Sequence, residues 1–369
     1  MLLIIFWKKI KQYFCVNDEG LTMTSYLQKI LFGGPGVGKS HKIQNILAEL
    51  GISDSSNYVK TVFHPEYTYG DFMGKLLPLT IEKRVEYKFY AGYFLEVLAK
   101  AYKNILLNPI SPEPVALVID EINRGNSSAI FGTIFQLLDR ENDGAHEGWS
   151  CYETKLSEME YSELLELIGI IYDRADNAYK IRNGELKEAI KRHSNSEGTF
   201  YKNQLSDFQR KILDPIKITD KSIRIPPNMS IIATMNTSDN SIFYMDSAFK
   251  RRWDWEFIKG ERQEASIDGK YDWSLFVDNL NRFFVDNSKF IRQIEDKQIG
   301  YWFINAKNKK ITTNDIRNKL LFFIWDSVFS RDKEGLRKLV GETNELITFS
   351  QFADQCDSFI EKIVNYSPK

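Results

Sequence analysis

An α/β fold on a parallel sheet is predicted by three apolar runs, each ending in residues of unusual chemistry. Ile30-Leu31-Phe32 leads into GGPGVGKS at 33–40, Val115 to Ile119 ends in Asp120-Glu121, and Met229 to Met235 ends in Asn236-Thr237-Ser238-Asp239. Apolar runs without alternation mark strands buried on both faces, as in a parallel sheet covered by helices. Open α/β sheets bind ligands beyond the carboxyl ends of their strands, where these polar residues stand.

The elements follow in chain order, beginning with a lead-in at 1–26. Met1 to Trp7 is apolar but is followed at once by Lys8 and Lys9. It falls far short of the ~20 residues a membrane helix needs and has no small-residue cleavage site, so it reads as a packed helix or strand. At 33–40 a strand ends, the backbone loops with its N–H groups turned inward around an anion, and a helix opens at Lys39 with its positive dipole end on that anion. Gly33, Gly34, Gly36 and Gly38 leave room for this approach and for dihedrals that a side chain forbids. Gly34, Pro35, Gly36, Val37, Gly38 and His41 are the expected phosphate contacts. Lys39 is expected to reach the β- and γ-phosphates and the Ser40 hydroxyl to coordinate Mg²⁺.

In FHPEYTYGDFMG (63–74), His64 stands among Phe63, Tyr67, Tyr69 and Phe72 and reads as a packed core or interface residue rather than a nucleotide contact. IEKRVEYKFYAGYF (81–94) reads as a β-hairpin followed by a helix, which removes Asp71 with Glu86-Tyr87-Lys88 as a nuclease-like metal set. Asp120 is placed to hold Mg²⁺ through water, and Glu121 to orient and deprotonate the attacking water. Two acids at a strand end also suit helix capping; the phosphate loop upstream favours the catalytic reading.

With 369 residues, the chain suggests two or three units at about 150 residues each. Hydrophobic residues at 43%, with 14% aromatic, exclude a disordered chain. Lys+Arg 49 against Asp+Glu 50 leaves a formal charge of -1, so no global basic footprint announces nucleic acid, and any contact with DNA is local or made by a partner. Cys15, Cys151 and Cys356 have neither zinc spacing nor an even count for disulfides, which points to a reducing compartment, the cytoplasm.

Residues 144–222 are polar and mostly helical in pattern, broken at Asn183-Gly184 and Glu197-Gly198, and read as an insertion with a solvated charged face. Strand character returns at 223–258. Asn236, at the tip of its strand, is the candidate for a side chain that touches both the attacking water and the γ-phosphate; an Asx-turn closing the strand is the alternative. In MDSAFKRRW (245–253), Arg251 and Arg252 suit an arginine finger offered to a neighbour's γ-phosphate, or else a solvated helix end. From Thr312, capping residues open a helix with Ile316, Leu320, Leu321, Ile324 and Val328 on one stripe, the core face of a C-terminal helical bundle.

The ordered set GGPGVGKS, FHPEYTYGDFMG, VALVIDEINRGNSSAIFG (115–132), IIATMNTSDNS (231–241), MDSAFKRRW and IGYWF (299–303) resembles the AAA+ domain of McrB-type proteins, the NTP-driven motor subunits of modification-dependent restriction systems. The resemblance covers roughly 27–143 and 223–330. It implies an AAA+ P-loop NTPase with a five-stranded parallel sheet, a helical insertion and a C-terminal helical lid: an AAA+ domain over 27–258 with the insertion at about 144–222, and a lid over 259–369. It further implies a ring, usually a hexamer, with sites between subunits, Mg²⁺ with GTP or ATP as substrate, and a nuclease partner of the McrC kind. DNA is then engaged through that partner or the ring pore, in anti-phage defence, with no membrane involved. By position, Asp120 and Glu121 are the Walker B acids, Arg124 lies near the interface, Asn236 and Asp239 belong to the sensor motif, and Arg251 and Arg252 are the finger candidates. The chain departs from the family where Asn240 replaces an Arg after the sensor Asp, in its long insertion, and in the short lead-in, from which recognition of DNA by an N-terminal domain is not expected. A protein-remodelling chaperone ATPase of the MoxR kind is the competing reading, since it shares the sheet and lid.

Overall fold

The computed structural model describes residues 26–53, 55–81, 83–236, 243–341 and 348–367, with the backbone of a short antiparallel hairpin that pairs 15–17 with 20–22. The element expected at Met1 to Trp7 lies outside the described residues. In chain order, β1 (Gln28–Gly33) leads to α1 (Lys39–Glu49), then β2 (Tyr58–Val62), α2 (Tyr69–Phe72), the strands β3 (Gly74–Ile81) and β4 (Arg84–Ala91), α3 (Tyr93–Leu107), β5 (Val115–Asp120) and α4 (Ser127–Phe131). There follow α5 (Glu158–Ile168), β6 (Ile170–Asp173), β7 (Ala178–Ile181), α6 (Gly184–Ser194), β8 (Thr199–Tyr201), β9 (Met229–Asn236), α7 (Ser247–Lys250) and β10 (Asp254–Phe257). The chain ends in α8 (Trp273–Asp286), α9 (Ile294–Lys297), α10 (Glu334–Val340), α11 (Phe349–Asp354) and α12 (Cys356–Val364).

Five strands form one sheet in the order β10-β1-β9-β5-β2. β5 is parallel to both of its neighbours: Met229 pairs with Val115 through to Ala233 with Ile119, and Tyr58 with Ala116 through to Val62 with Asp120. Val115 to Ile119 are all buried, which is why this strand reads as an unbroken apolar run.

The described residues divide into two compact units. One takes those up to Ile30, those of Gln44–Ala233 and those of Ile242–Asp254; the other takes those of Leu31–Ile43, those of Thr234–Ser241 and those of Trp255–Lys369. In the first unit, the hairpin expected within 81–94 is instead formed with the residues before it, β3 and β4 pairing in register from Gly74–Ala91 to Ile81–Arg84, and the expected helix follows as α3. The region 144–222 supplies the helices α5 and α6 and, beside them, a three-stranded antiparallel sheet in the order β8-β7-β6. α5 opens with a Ser157–Glu160 capping box and stops at Gly169, whose φ of 103° is a left-handed cap; Ile170-Ile171-Tyr172 then favours a strand. Asn183, one of the expected breaks, caps α6 by accepting from the Leu186 N–H at 2.9 Å.

The second unit has its own core. Trp273, Phe276, Leu280 and Phe284 of α8 pack with the predicted stripe, of which Ile316, Leu320, Leu321 and Ile324 are fully buried and Val328 nearly so, and with Phe359, Ile360 and Ile363 of α12. Thr312 and Asp315 form the capping box that starts the stripe.

Candidate active site

The phosphate loop, at the end of β1, is built within the second unit. Gly36 and Gly38 have φ of 75° and 89°, in the left-handed region that glycine adopts without strain. The Lys39 ammonium folds back to donate to the Gly33 and Gly34 carbonyls at 2.9 and 3.0 Å. Ser40 and His41 are exposed in the first turn of α1, and Val37 is buried.

The loop rests on the IGYWF segment. The Gly300 N–H donates to the Pro35 carbonyl and the Trp302 N–H to the Gly36 carbonyl, both at 2.9 Å. A trans peptide sets its N–H opposite its C=O, so fixing these carbonyls toward 300–302 turns the Gly36 and Val37 N–H groups to the other side, as anion binding requires. The contact is intimate: a Cβ on Gly300 would meet the Gly36 carbonyl oxygen at 2.4 Å, and one on Gly36 would meet the Phe303 nitrogen at 2.4 Å.

This clamp is itself held rigidly. Asn281 brackets Ile299 by donating to its carbonyl and accepting from its N–H, each at 2.9 Å. Buried Gln263 donates to the Tyr301 and Ile304 carbonyls at 2.8 and 3.0 Å and accepts from the Ala306 N–H at 2.8 Å, and the Trp273 indole donates to the Tyr301 carbonyl at 2.6 Å. An irregular segment with its backbone groups satisfied in this way is rigid.

The acidic strand end belongs to the first unit. Asp120 closes β5, and its Oδ2 pairs with the Lys60 Nζ at 2.5 Å from the adjacent β2. Glu121 follows with φ of 55°, a left-handed conformation rare outside glycine, and its carbonyl accepts from the Arg124 N–H at 2.9 Å. Such strain persists where surrounding structure enforces it and clusters at functional sites. Arg124 is exposed. Asn236 is the final, half-buried residue of β9, and Asp239, with Asn240, lies outside the described residues.

The two arginine candidates part company. Arg252 is largely buried: it donates to the Asp139 carboxylate at 2.6 Å and the Ala248 carbonyl at 2.7 Å, and its guanidinium lies 4.0 Å from the Phe135 ring centre. Arg251 is exposed, and among the described residues nothing engages its side chain. Both sit at the end of α7, which Asp246 caps by accepting from the Phe249 N–H at 2.6 Å; that bond holds the Asp246 carboxyl below its usual range.

An aromatic ladder ties α7 to the FHPEY segment. Ring centres run from Phe63 to Phe72 at 5.7 Å, Phe72 to Phe131 at 4.8 Å and Phe131 to Phe249 at 5.3 Å. Phe63, Phe72, Phe131 and Phe249 are fully buried. His64, expected to be a packed core or interface residue, is exposed rather than in the core; its ring meets Tyr67 edge-on at 5.5 Å, while Phe63 next to it takes the core position. Burial pushes the Tyr67 hydroxyl up to about 12 against the hydrogen bond from Thr61.

Residues 28–148 match the family of AAA domains of the dynein-related subfamily. A Bacillus subtilis (strain 168) protein, the type II restriction enzyme BsuMI component YdiS, is 27% identical over 338 residues, covering 82% of this chain and 80% of its own. The type IV methyl-directed restriction enzyme EcoKMcrB subunit of Escherichia coli (strain K12) is 25% identical over 224 residues, 60% of this chain, which thus spans 33% of that relative. Residues 28–148 thus carry an AAA domain, and the chain is similar to McrB-type restriction components.

In this AAA+ domain the donor set suits Mg²⁺. A serine hydroxyl and a carboxylate are hard oxygen ligands, and among the described residues no group of three His, Cys, Asp or Glu side chains is assembled for a metal. Mg²⁺ takes one or two protein ligands and completes its shell with phosphate and water, and Ser40 and Asp120 are each a ligand of that type. Sequence reasoning missed Lys60, Asp139 and the clamp. IGYWF stood out as a motif without a role, and a lysine two residues before the end of a strand carries no signal until pairing with β5 is known.

Proposed function

We propose that the chain is a Mg²⁺-dependent GTP- or ATP-hydrolysing motor subunit of a McrBC-like anti-phage restriction system, acting in the cytoplasm on DNA with a nuclease partner of the McrC kind. The observation that carries this reading is the phosphate loop, whose outward carbonyls are held by Gly300 and Trp302 so that its amides are preset for a triphosphate. Preorganised donors cost no rearrangement when charge develops on the transferring phosphoryl group. Lys39 binds the β- and γ-phosphates, Ser40 and Asp120 hold Mg²⁺, which neutralises charge on the phosphate oxygens when bound, and Glu121 takes the proton from the attacking water. Asn236 and Asp239 sense the γ-phosphate. Arg251 serves as the finger of a neighbouring subunit in a ring, expected as a hexamer, since its guanidinium is available while that of Arg252 is committed to Asp139.

The test is hydrolysis of GTP and of ATP by the purified protein with Mg²⁺, alone and with DNA and a McrC-type nuclease. Hydrolysis of one nucleotide, abolished by EDTA and stimulated by the nuclease, is expected. Failure to hydrolyse either under every condition overturns the proposal.

A further inference from the structure

The geometry points to a second anion site, for a phosphate group, in a cavity of the C-terminal unit that has no part in the reaction above. The cavity encloses about 310 Å³ and is lined by Arg292, Lys297, Arg331, Ser330 and Phe290, with Asp326 as its one acid among the described residues. Lys297 decides the argument, because it is only 7% exposed. Its stem is packed, while its ammonium is not among the buried unpartnered atoms, so the charge opens into the cavity it lines. Among the described residues Lys297 has no ion pair or hydrogen bond, and neither Arg292 nor Arg331 is paired with an acid there. Three cations against one carboxylate leave an excess of positive charge around a space large enough for a nucleotide-sized ligand. Two planar guanidinium groups with an ammonium make a donor set suited to phosphate oxygens, the arginines supplying paired N–H bonds and the lysine a point charge. Phe290 gives one wall an apolar face.

The phosphate belongs either to a small polyphosphate or to a nucleic-acid strand, and the experiment separates them. Lys39→Ala protein, disabled at the phosphate loop, is titrated calorimetrically with pyrophosphate and with a short single-stranded oligonucleotide, and its melting temperature is read with and without each. Binding with a rise in melting temperature is expected for at least one probe. Adding Lys297→Met should weaken that binding at least tenfold and abolish the rise, and Arg331→Ala should weaken it to a lesser extent. Lys297→Met should fold as its parent does without ligand, because methionine keeps the packed stem and removes only the charge. A response to pyrophosphate assigns a small-ligand site; a response to the oligonucleotide alone assigns the same cations to a strand. Binding of neither probe, or binding indifferent to both substitutions, overturns the inference. Because Lys39→Ala is the background throughout, loss of NTP hydrolysis has no bearing on the result.

Discussion

Arg251 and Arg252 are adjacent cations with opposite commitments, and the difference is measurable. Arg252→Ala removes the bond to Asp139 and the stacking on Phe135, so it should destabilise the fold by about 1.5–3 kcal/mol, seen as a lower denaturation midpoint. Arg251→Ala should leave that midpoint unchanged and lower turnover by about 10³–10⁵ if it is the finger. A loss of turnover confined to Arg252→Ala would reverse the assignment. Mixing Arg251→Ala with Lys39→Ala protein should partly restore hydrolysis, because the proposed ring places the two lesions in different sites. Residues such as these show what a sequence conceals. KRRW reveals three cations in a row, but only packing against Phe135 and Asp139 determines which of them is spent on structure.

At the scale of elements, the clamp between 298 and 303 and the phosphate loop is the part most sensitive to a single methyl. Gly300→Ala would place a carbon 2.4 Å from the Gly36 carbonyl oxygen. Nucleotide affinity should fall at least tenfold, about 1.4 kcal/mol, while the helical core keeps its circular dichroism. The cap of α2 offers a pH test. Burial raises the Asp71 carboxyl, but hydrogen bonds from Lys75 and Thr68 outweigh it and hold it at about 2. Because the folded value lies below the usual one near 4, this contribution is complete above pH ~4 and is lost as pH falls toward 2, at a cost of roughly 1–2 kcal/mol. Asp71→Asn should flatten that part of the stability profile, and a profile equally steep in the variant would rule the cap out as its source. The strands were legible because burial on both faces leaves apolar runs, and the stripe from Ile316 because its period is helical. The three strands beside α5 and α6 were less so: Ile170-Ile171-Tyr172 is short, and its pairing with Ala178–Ile181 is long-range information that periodicity does not carry.

At the scale of the whole chain, the chemistry was more legible than the architecture that supports it. Lys39, Ser40, Asp120 and Glu121 stand out because the proposed chemistry demands those residue types beside strand ends. The supports, Lys60, Asn281 and Gln263, are ordinary polar residues whose roles arise only when distant segments meet. The central claim is that Glu121 activates water against a triphosphate seated by Lys39. It is tested most directly by one paired measurement on Glu121→Gln, nucleotide binding by calorimetry and hydrolysis in a single turnover. Retained binding with hydrolysis lost is the predicted result; hydrolysis at the unmodified rate would contradict it.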